Sequence, residues 1–353
     1  MGAADLVREL VARGALTEPA WREAFAAVPR ELFVPYYYAA GAGGGQERLW
    51  REDADPRRRE RWREGVYEDV PLATRLRDGE LLSSSSQPSL MARMLEALQV
   101  REGMRVLEIG TGSGYNAALL AHRLGDERVT TVDLEPEITE AARRHLAEAG
   151  RRPRVVTGNG ELGCPAHAPY DRIIATCALT SVPHGWLPQC TPGALAVLPV
   201  ATGLLSLRVS GAAGAEGNFL STPAFFVPLR GAVTADVGDA EDNGDDPGGA
   251  ESGAASEPAE DSGTPSEAGP GPRTGPRPGS PGARTWVPAD ARRDDSFRFL
   301  LALSGGRLGT REAYALWREA GKPSRERYGV TVRDGAQWAW LDEPDGEHTW
   351  PLG

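Results

Sequence analysis

Apolar positions along the chain change rhythm twice. Leu6, Val7, Leu10 and Val11 recur at helical spacing, and Trp21, Phe25 and Val28 repeat at i, i+4 and i+7. Two N-terminal helices are therefore expected, the second opening at Thr17 as N-cap just ahead of Pro19. From Pro88 onward the pattern alternates between helix and strand. Leu90, Met94, Leu95 and Leu98 form one helical face, RVLEIG (105–110) reads as a buried strand and Ala117 to Leu124 as a helix. VTTVD (129–133), RVVTG (154–158), YDRIIAT (170–176) and ALAVLPV (194–200) follow as strands, with a helix from Glu137 to Ala149. Strands alternating with helices of this length predict an α/β fold, a doubly wound and mainly parallel sheet covered on both faces.

Between residues 236 and 285 the apolar rhythm disappears into 11 glycines, 8 prolines, acidic and small polar residues. Such a segment buries too little surface to offset its ordering entropy, so a disordered acidic linker is expected there. It divides the chain into residues 1–235 and a shorter section, 286–353, where apolar patterning resumes. DDSFRFLLALSGG (294–306) gathers Phe297, Phe299, Leu300, Leu301 and Leu303, REAYALWREAG (311–321) reads as an amphipathic helix, and YGVTVRDGAQWAWLDE (328–343) as a hairpin turning at Asp334-Gly335. A small C-terminal α+β domain is the expectation. Five of the nine tryptophans, Trp286, Trp317, Trp338, Trp340 and Trp350, lie in it. They read as packing residues, or together as a peptide-recognition surface.

Composition narrows the partners. The net charge of −11 is mostly the linker's, where 11 acidic residues face Arg273, Arg277 and Arg284, so the remainder carries only −3 and presents no basic field for nucleic acid. An arginine-dense stretch from Arg57 to Arg63 reads as a solvated helix face, or as a basic lip beside an acidic substrate. No apolar run is long enough for a membrane span, and MGAADLVREL lacks the apolar segment of a signal peptide, so cytoplasmic residence is expected. Cys164, Cys177 and Cys190 fit neither a disulfide framework nor a zinc site and read as reduced thiols. No metal is implied.

The chemistry concentrates after the first strand of the alternating region. Glu108-Ile109-Gly110-Thr111-Gly112-Ser113-Gly114-Tyr115 lets the backbone turn sharply beside the N-terminus of the next helix. The spacing G-x-G-x-G, with Tyr115 next, does not meet the dinucleotide fingerprint and counts against NAD. Asp133 ends the second strand 23 positions after Gly110, where a carboxylate can accept from ribose hydroxyls, and Gly158-Asn159-Gly160 follows the third. All three loops close successive parallel strands at their carboxyl ends, where such sheets bind ligands. Tyr115 reads as a packing residue.

With an acidic residue ahead of the glycines, this constellation resembles S-adenosylmethionine-dependent methyltransferases, implying a Rossmann-like class I methyltransferase sheet. The resemblance extends to protein-L-isoaspartate O-methyltransferases: AVPRELFVP (27–35), YEDVPL (67–72), SQP (86–88), VLEIGTGSGY (106–115), APYDRIIAT (168–176) and FFVPL (225–229) match that family in order, across nearly all of residues 4–231. It implies S-adenosyl-L-methionine as cofactor, Ser86 as the active-site serine, and Ser83, Ser84 and Ser85 lining the same loop on the cofactor and acceptor side. It further implies Glu108, Gly110, Thr111, Gly112 and Gly114 near the methionine and ribose, Asp133 on the ribose, and Asn159 with Gly160 at the adenine. Two departures stand out. Ser84-Ser85 replaces the family's usual Thr-Ile, making the loop more polar, and Asn159 stands where the family has Asp.

The extension, with SSSSQPS and the D-D-x-S-F-R-F-L-L segment, resembles actinobacterial homologues that modify ribosomally made peptides such as lanthipeptides. That branch implies methylation of an ordinary aspartate in a modified precursor and passage through the ester to aspartimide or isoaspartate. The alternatives are a general protein-repair methyltransferase, a small-molecule carboxyl methyltransferase, and a catalytically inert peptide-binding module. A serine-hydrolase role for Ser86 finds no G-x-S-x-G elbow, and His122, His145 and His184 read as surface or helix-cover residues.

Overall fold

The computed structural model describes residues 2–41, 45–231 and 287–353. The expected linker at 236–285 lies outside the described residues, as do Trp286 and residues 42–44 of the glycine-rich loop.

Helices α1 (Ala3–Ala12) and α2 (Pro19–Ala27) form as the spacing predicts. The second is capped at Glu18, not Thr17. Thr17 is drawn elsewhere: its hydroxyl donates to Glu96 at 2.7 Å and its backbone N–H meets the same carboxylate. A four-stranded antiparallel sheet follows that periodicity did not reveal, built from β1 (Tyr36–Ala40), β2 (Gln46–Trp50), β3 (Leu72–Arg77) and β4 (Glu80–Ser85) in the order β2-β1-β3-β4. Between β2 and β3 lies α3 (Pro56–Val66), which carries the arginine-dense stretch. Arg58 reaches Asp53 at 2.8 Å and also Glu47, Arg61 reaches Glu47 at 2.9 Å, and Arg63 reaches Glu60 at 3.0 Å. Arg58 and Arg61 fasten the helix to the hairpin and Arg63 pairs within the helix.

The alternating region gives α4 (Pro88–Ala97), β5 (Val106–Ile109), α5 (Tyr115–Leu124), β6 (Val129–Asp133), α6 (Pro136–Glu148), β7 (Arg154–Thr157), β8 (Tyr170–Ala175) and β9 (Cys190–Val200). Strands β7-β6-β5-β8-β9 are parallel neighbours, as expected. Because successive strand residues face opposite sides, Val106 and Ile174 enter the core shared with α1, α2, α4 and α5, whereas Leu107 and Ile173 enter the core on the other face. Both faces are covered, so β5 is buried at every position.

Beyond β9 the sheet turns antiparallel. A two-residue link at Ala201-Thr202 is too short for a crossover, so β10 (Gly203–Gly211) folds back on β9, and β11 (Gly214–Pro223) on β10. The C-terminal section contributes α7 (Ala289–Arg293), α8 (Asp295–Leu303), α9 (Thr310–Glu319), β12 (Tyr328–Arg333), β13 (Ala336–Leu341) and β14 (Thr349–Pro351). Its α+β content and its hairpin are as predicted, with Asp334 and Gly335 both at positive φ, as the tight turn requires. Its strands do not close a sheet of their own. β12 pairs with β11 from Gly214↔Arg333 to Asn218↔Gly329, giving one mixed ten-stranded sheet, and residues 1–232 and 287–353 group as one compact unit.

Side chains seal this junction. Phe299 of α8 packs edge-on against Phe219 at 4.9 Å and Tyr328 at 5.3 Å. A Cβ on Gly203 would lie 2.6 Å from Phe299, so glycine makes room for the ring. Arg325, buried under 4.3 Å stacking on Phe299, donates to Asp295 and, at 2.7 Å, to the Thr202 carbonyl. Trp317, Trp340 and Trp350 are buried packing residues, while Trp338 is half-buried. The three cysteines are unpaired, and among the described residues no helix is long and apolar enough to cross a membrane.

Candidate active site

A cleft opens at the carboxyl ends of β5, β6 and β8. Its floor is the loop after β5, and its opposite wall comes from the end of β4, Ser86, and the segment Val227 to Arg230. Of the residues singled out from sequence, Ser83, Ser84, Ser85, Ser86, Glu108, Gly110, Thr111, Gly112, Asp133 and Gly160 all line it. Residues separated by up to 77 positions meet in one cavity.

The glycine loop is built as its sequence requires. Gly110 has φ +94°, and a Cβ there would stand 2.6 Å from the Thr176 hydroxyl, which itself donates to the Gly110 carbonyl at 2.6 Å. Gly112, at φ +51°, donates its N–H to Asp133 Oδ2 at 3.0 Å, so the carboxylate ending β6 also shapes the loop. Asp133 Oδ1 receives only a long 3.4 Å bond from the Glu135 N–H, leaving that oxygen available to a ligand. Burial raises the Asp133 pKa, while N–H donors and Arg230 oppose the shift. Thr111 turns inward, its hydroxyl 2.7 Å from that of Thr131.

Glu108 is fully buried. Asn116 Nδ2 donates to its Oε1 at 2.7 Å, but Oε2 has no partner, nor has Asn116 Oδ1. Desolvation pushes the carboxyl up to about 7; the nearby Thr131 hydroxyl and the Asn116 hydrogen bond oppose this and the Asp133 charge adds to it. An orphaned carboxylate oxygen at a ligand cleft is what a cationic group would satisfy.

Two of the predicted residues stand apart from the lining. Gly114 is the left-handed cap of α5, and a Cβ on it would press Ala142 at 3.3 Å, so its role is close helix packing. Asn159 Oδ1 accepts from the Glu161 N–H at 2.9 Å, capping the turn 160–162, and its Nδ2 reaches the Gly231 carbonyl at 3.4 Å. That side chain is committed to local structure. Gly160 takes the cleft position instead: a Cβ there would sit 2.7 Å from Ile109 Cγ2. Tyr115 is buried against Phe25 and Phe33, as expected of a packing residue, though it also borders the cleft. His145 contributes a contact that sequence did not suggest, its Nδ1 lying 3.0 Å from the Ser113 carbonyl.

The serine loop is held by a residue without a role in the sequence reading. Arg30 is fully buried, and no carboxylate among the described residues bonds it. Its guanidinium donates to the carbonyls of Val66 at 2.9 Å, Glu68 at 3.1 Å, Val70 at 3.2 Å, Ser85 at 3.3 Å and Ser86 at 3.1 Å, and to the Ser85 hydroxyl at 3.3 Å. Burial lowers its pKa to about 10, with Tyr115 and Asp69 opposing, so it remains a cation. Asp69 completes the clamp by accepting from the Ser89 N–H at 2.8 Å, at the start of α4. Arg30 lies inside AVPRELFVP, but only contacts 36 to 56 residues away reveal its function.

A class I sheet with a glycine turn, a carboxylate ending its second parallel strand and a clamped serine loop defines an S-adenosylmethionine-dependent methyltransferase. Residues 55–230 match the family model for protein-L-isoaspartate(D-aspartate) O-methyltransferase. A protein-L-isoaspartate O-methyltransferase of Ignicoccus hospitalis is 38% identical over 198 residues, 56% of this chain and 80% of the relative. Protein-L-isoaspartate O-methyltransferase 1 of an Anaeromyxobacter species is 38% identical over 236 residues, covering 65% and 96%. A solved protein-L-isoaspartate O-methyltransferase superposes with a TM-score of 0.51 at 29% identity, covering 64% of this chain and 65% of that one. The chain belongs to the protein-L-isoaspartate(D-aspartate) O-methyltransferase family.

Proposed function

We propose that the protein methylates the free α-carboxylate of L-isoaspartyl residues in polypeptide acceptors. The observation that carries this reading is the serine loop, clamped by Arg30 so that Ser86 borders the same cleft as Gly110, Gly112 and Asp133. The relatives' names speak of isoaspartyl protein methylation, which puts this reading ahead of precursor-peptide maturation.

The cleft's residues fit S-adenosylmethionine. Asp133 Oδ1 is open to ribose hydroxyls, Glu108 Oε2 to a cationic group, and Gly110 and Gly112 present no side chain to the cleft. When bound, the cofactor supplies an activated methyl group. The acceptor α-carboxylate, with an unperturbed pKa of about 3.5, is already an anion at neutral pH, so no general base is needed. Ser86 serves by donating its hydroxyl hydrogen to one carboxylate oxygen, orienting the other without adding a competing charge. Orientation of this kind contributes roughly 7 to 11 kcal/mol in favourable cases. Ser86→Ala is expected to lower kcat about a hundredfold with cofactor affinity little changed, measured on an isoaspartyl peptide; an unchanged rate removes Ser86 from the site.

A second reading is favoured by Ser84-Ser85 and by the C-terminal section: methylation of an ordinary aspartate in a modified precursor peptide. There the ester's carbonyl is attacked by the next backbone amide nitrogen, methanol leaves, and an aspartimide ring forms. Mass spectrometry separates the two. Methyl gain on unrelated isoaspartyl peptides supports the first; methyl gain then methanol loss on an aspartyl precursor, with isoaspartyl peptides ignored, supports the second. Failure to bind S-adenosylmethionine in calorimetry would leave only an inert peptide-binding module.

A further inference from the structure

The hairpin β1–β2 precedes the stretch matched by the family model, and its outer face is unusual for a sheet edge. Cross-strand partners share a face, so Tyr36↔Trp50 and Tyr38↔Arg48 stand together on one side, while Tyr37 and Leu49 are buried on the other. Tyr36 and Tyr38 meet edge-on at 6.1 Å. The Arg48 guanidinium lies 4.2 Å above the Tyr36 ring and 5.9 Å from that of Trp50. Trp50 is 38% exposed. Neighbouring arginines are spent on carboxylates, Arg58 and Arg61 on Glu47 and Arg75 on Glu137. No carboxylate among the described residues pairs with Arg48, which is exposed.

The row of strand partners behind this face ends at the cleft. Tyr38 pairs with Ala73 of β3, and Ala73 with Ser84 of β4, so Arg48, Tyr38, Ala73 and Ser84 form one row across four strands. Ser84 lines the cleft beside Ser86. Three inter-strand steps of about 4.8 Å span roughly 14 Å, the reach of about four residues of extended chain.

We propose that the Tyr36/Tyr38/Arg48/Trp50 face docks the methyl acceptor, binding an extended acidic segment whose carboxylate, about four residues from the methylated one, pairs with Arg48. The proposal rests on the carboxyl-methyltransferase reading above. Stacked on two aromatic rings, the guanidinium is pre-organised, with its N–H edges left for a carboxylate. Continuity with Ser84 and the unpaired positive charge single out acceptor polypeptide as the occupant.

The test uses the full-length protein and isoaspartyl peptides bearing a single Glu or Lys at each position from two to six residues on either side of the isoaspartate. Methylation gives KM and kcat. Anisotropy of fluorescein-labelled peptides with S-adenosylhomocysteine present reads docking without turnover, so loss of methylation leaves the docking result intact. Glu at about the fourth position should bind roughly three- to fivefold better than Lys there, with kcat unchanged. Arg48→Glu should invert that preference, and Trp50→Ala should weaken every peptide without altering cofactor affinity. A position-independent charge effect, or wild-type preference in Arg48→Glu, overturns the proposal. Docking as described in a protein that never methylates isoaspartate would overturn the activity reading and keep the surface.

Discussion

If the orphaned oxygen of Glu108 meets a cationic group of the cofactor, as proposed above, cofactor binding is a proton-linked event. With its carboxyl held at about 7 by burial, the folded protein keeps a proton that the unfolded chain releases near pH 4.5. The folded-state pKa is raised, so this group costs stability as pH climbs from about 4.5 to 7, by roughly 3 kcal/mol once ionised. A cation placed at Oε2 reverses the balance, because only the ionised form satisfies it. With a pKa of about 7, the ionised fraction rises about tenfold between pH 6 and pH 8. Cofactor affinity should therefore rise about tenfold over the same interval, with close to one proton released per cofactor at pH 6. Calorimetry in buffers of different ionisation enthalpy measures both. Glu108→Gln keeps the shape and the Asn116 contact but removes the charge. It should flatten the pH dependence and weaken binding at pH 8 by about 1.5 to 3 kcal/mol, roughly 10- to 150-fold, while removing the stability loss above pH 5. His145, whose pKa burial lowers, also touches the glycine loop, and the variant isolates its contribution. Equal pH slopes in wild type and Glu108→Gln would refute the assignment of the orphaned oxygen to a cationic ligand.

Other expectations concern parts outside the glycine turn. Arg30→Lys keeps a positive charge but loses the fork that reaches five carbonyls, leaving several buried acceptors short of a donor at about 1 to 3 kcal/mol each. Urea unfolding should show a loss of several kcal/mol, and kcat should fall at least tenfold while cofactor affinity stays within about threefold; an unaltered kcat would deny Arg30 its hold on Ser86. Removing residues 287–353 bares the β11 edge and the apolar surface under Phe299, so size-exclusion chromatography should report aggregation. A monomeric, fully active truncation would show the shared sheet to be dispensable. Deletion thus reports on folding before it reports on acceptor class.

What the sequence determined by itself is whatever is encoded locally. The short apolar and β-branched runs of β5, β6 and β8, the helical spacing in α4 and the glycines after β5 fix backbone conformation over a few residues, and each appears where its pattern lies. That Gly110, Gly112 and Asp133 would lie together was legible because loops at the carboxyl ends of successive parallel strands share one crevice, whereas Glu108 was singled out only by the family resemblance. The tertiary structure alone decided which distant groups meet. Arg30 reaching Ser86, Glu96 taking Thr17 from its helix, Asn159 turning to cap its own loop, and β12 joining β11 are choices among polar partners that look equivalent along the chain. The physical reason is desolvation. A buried guanidinium, carbonyl or sheet edge must be satisfied by whatever packing brings within about 3 Å, and that geometry depends on the whole fold.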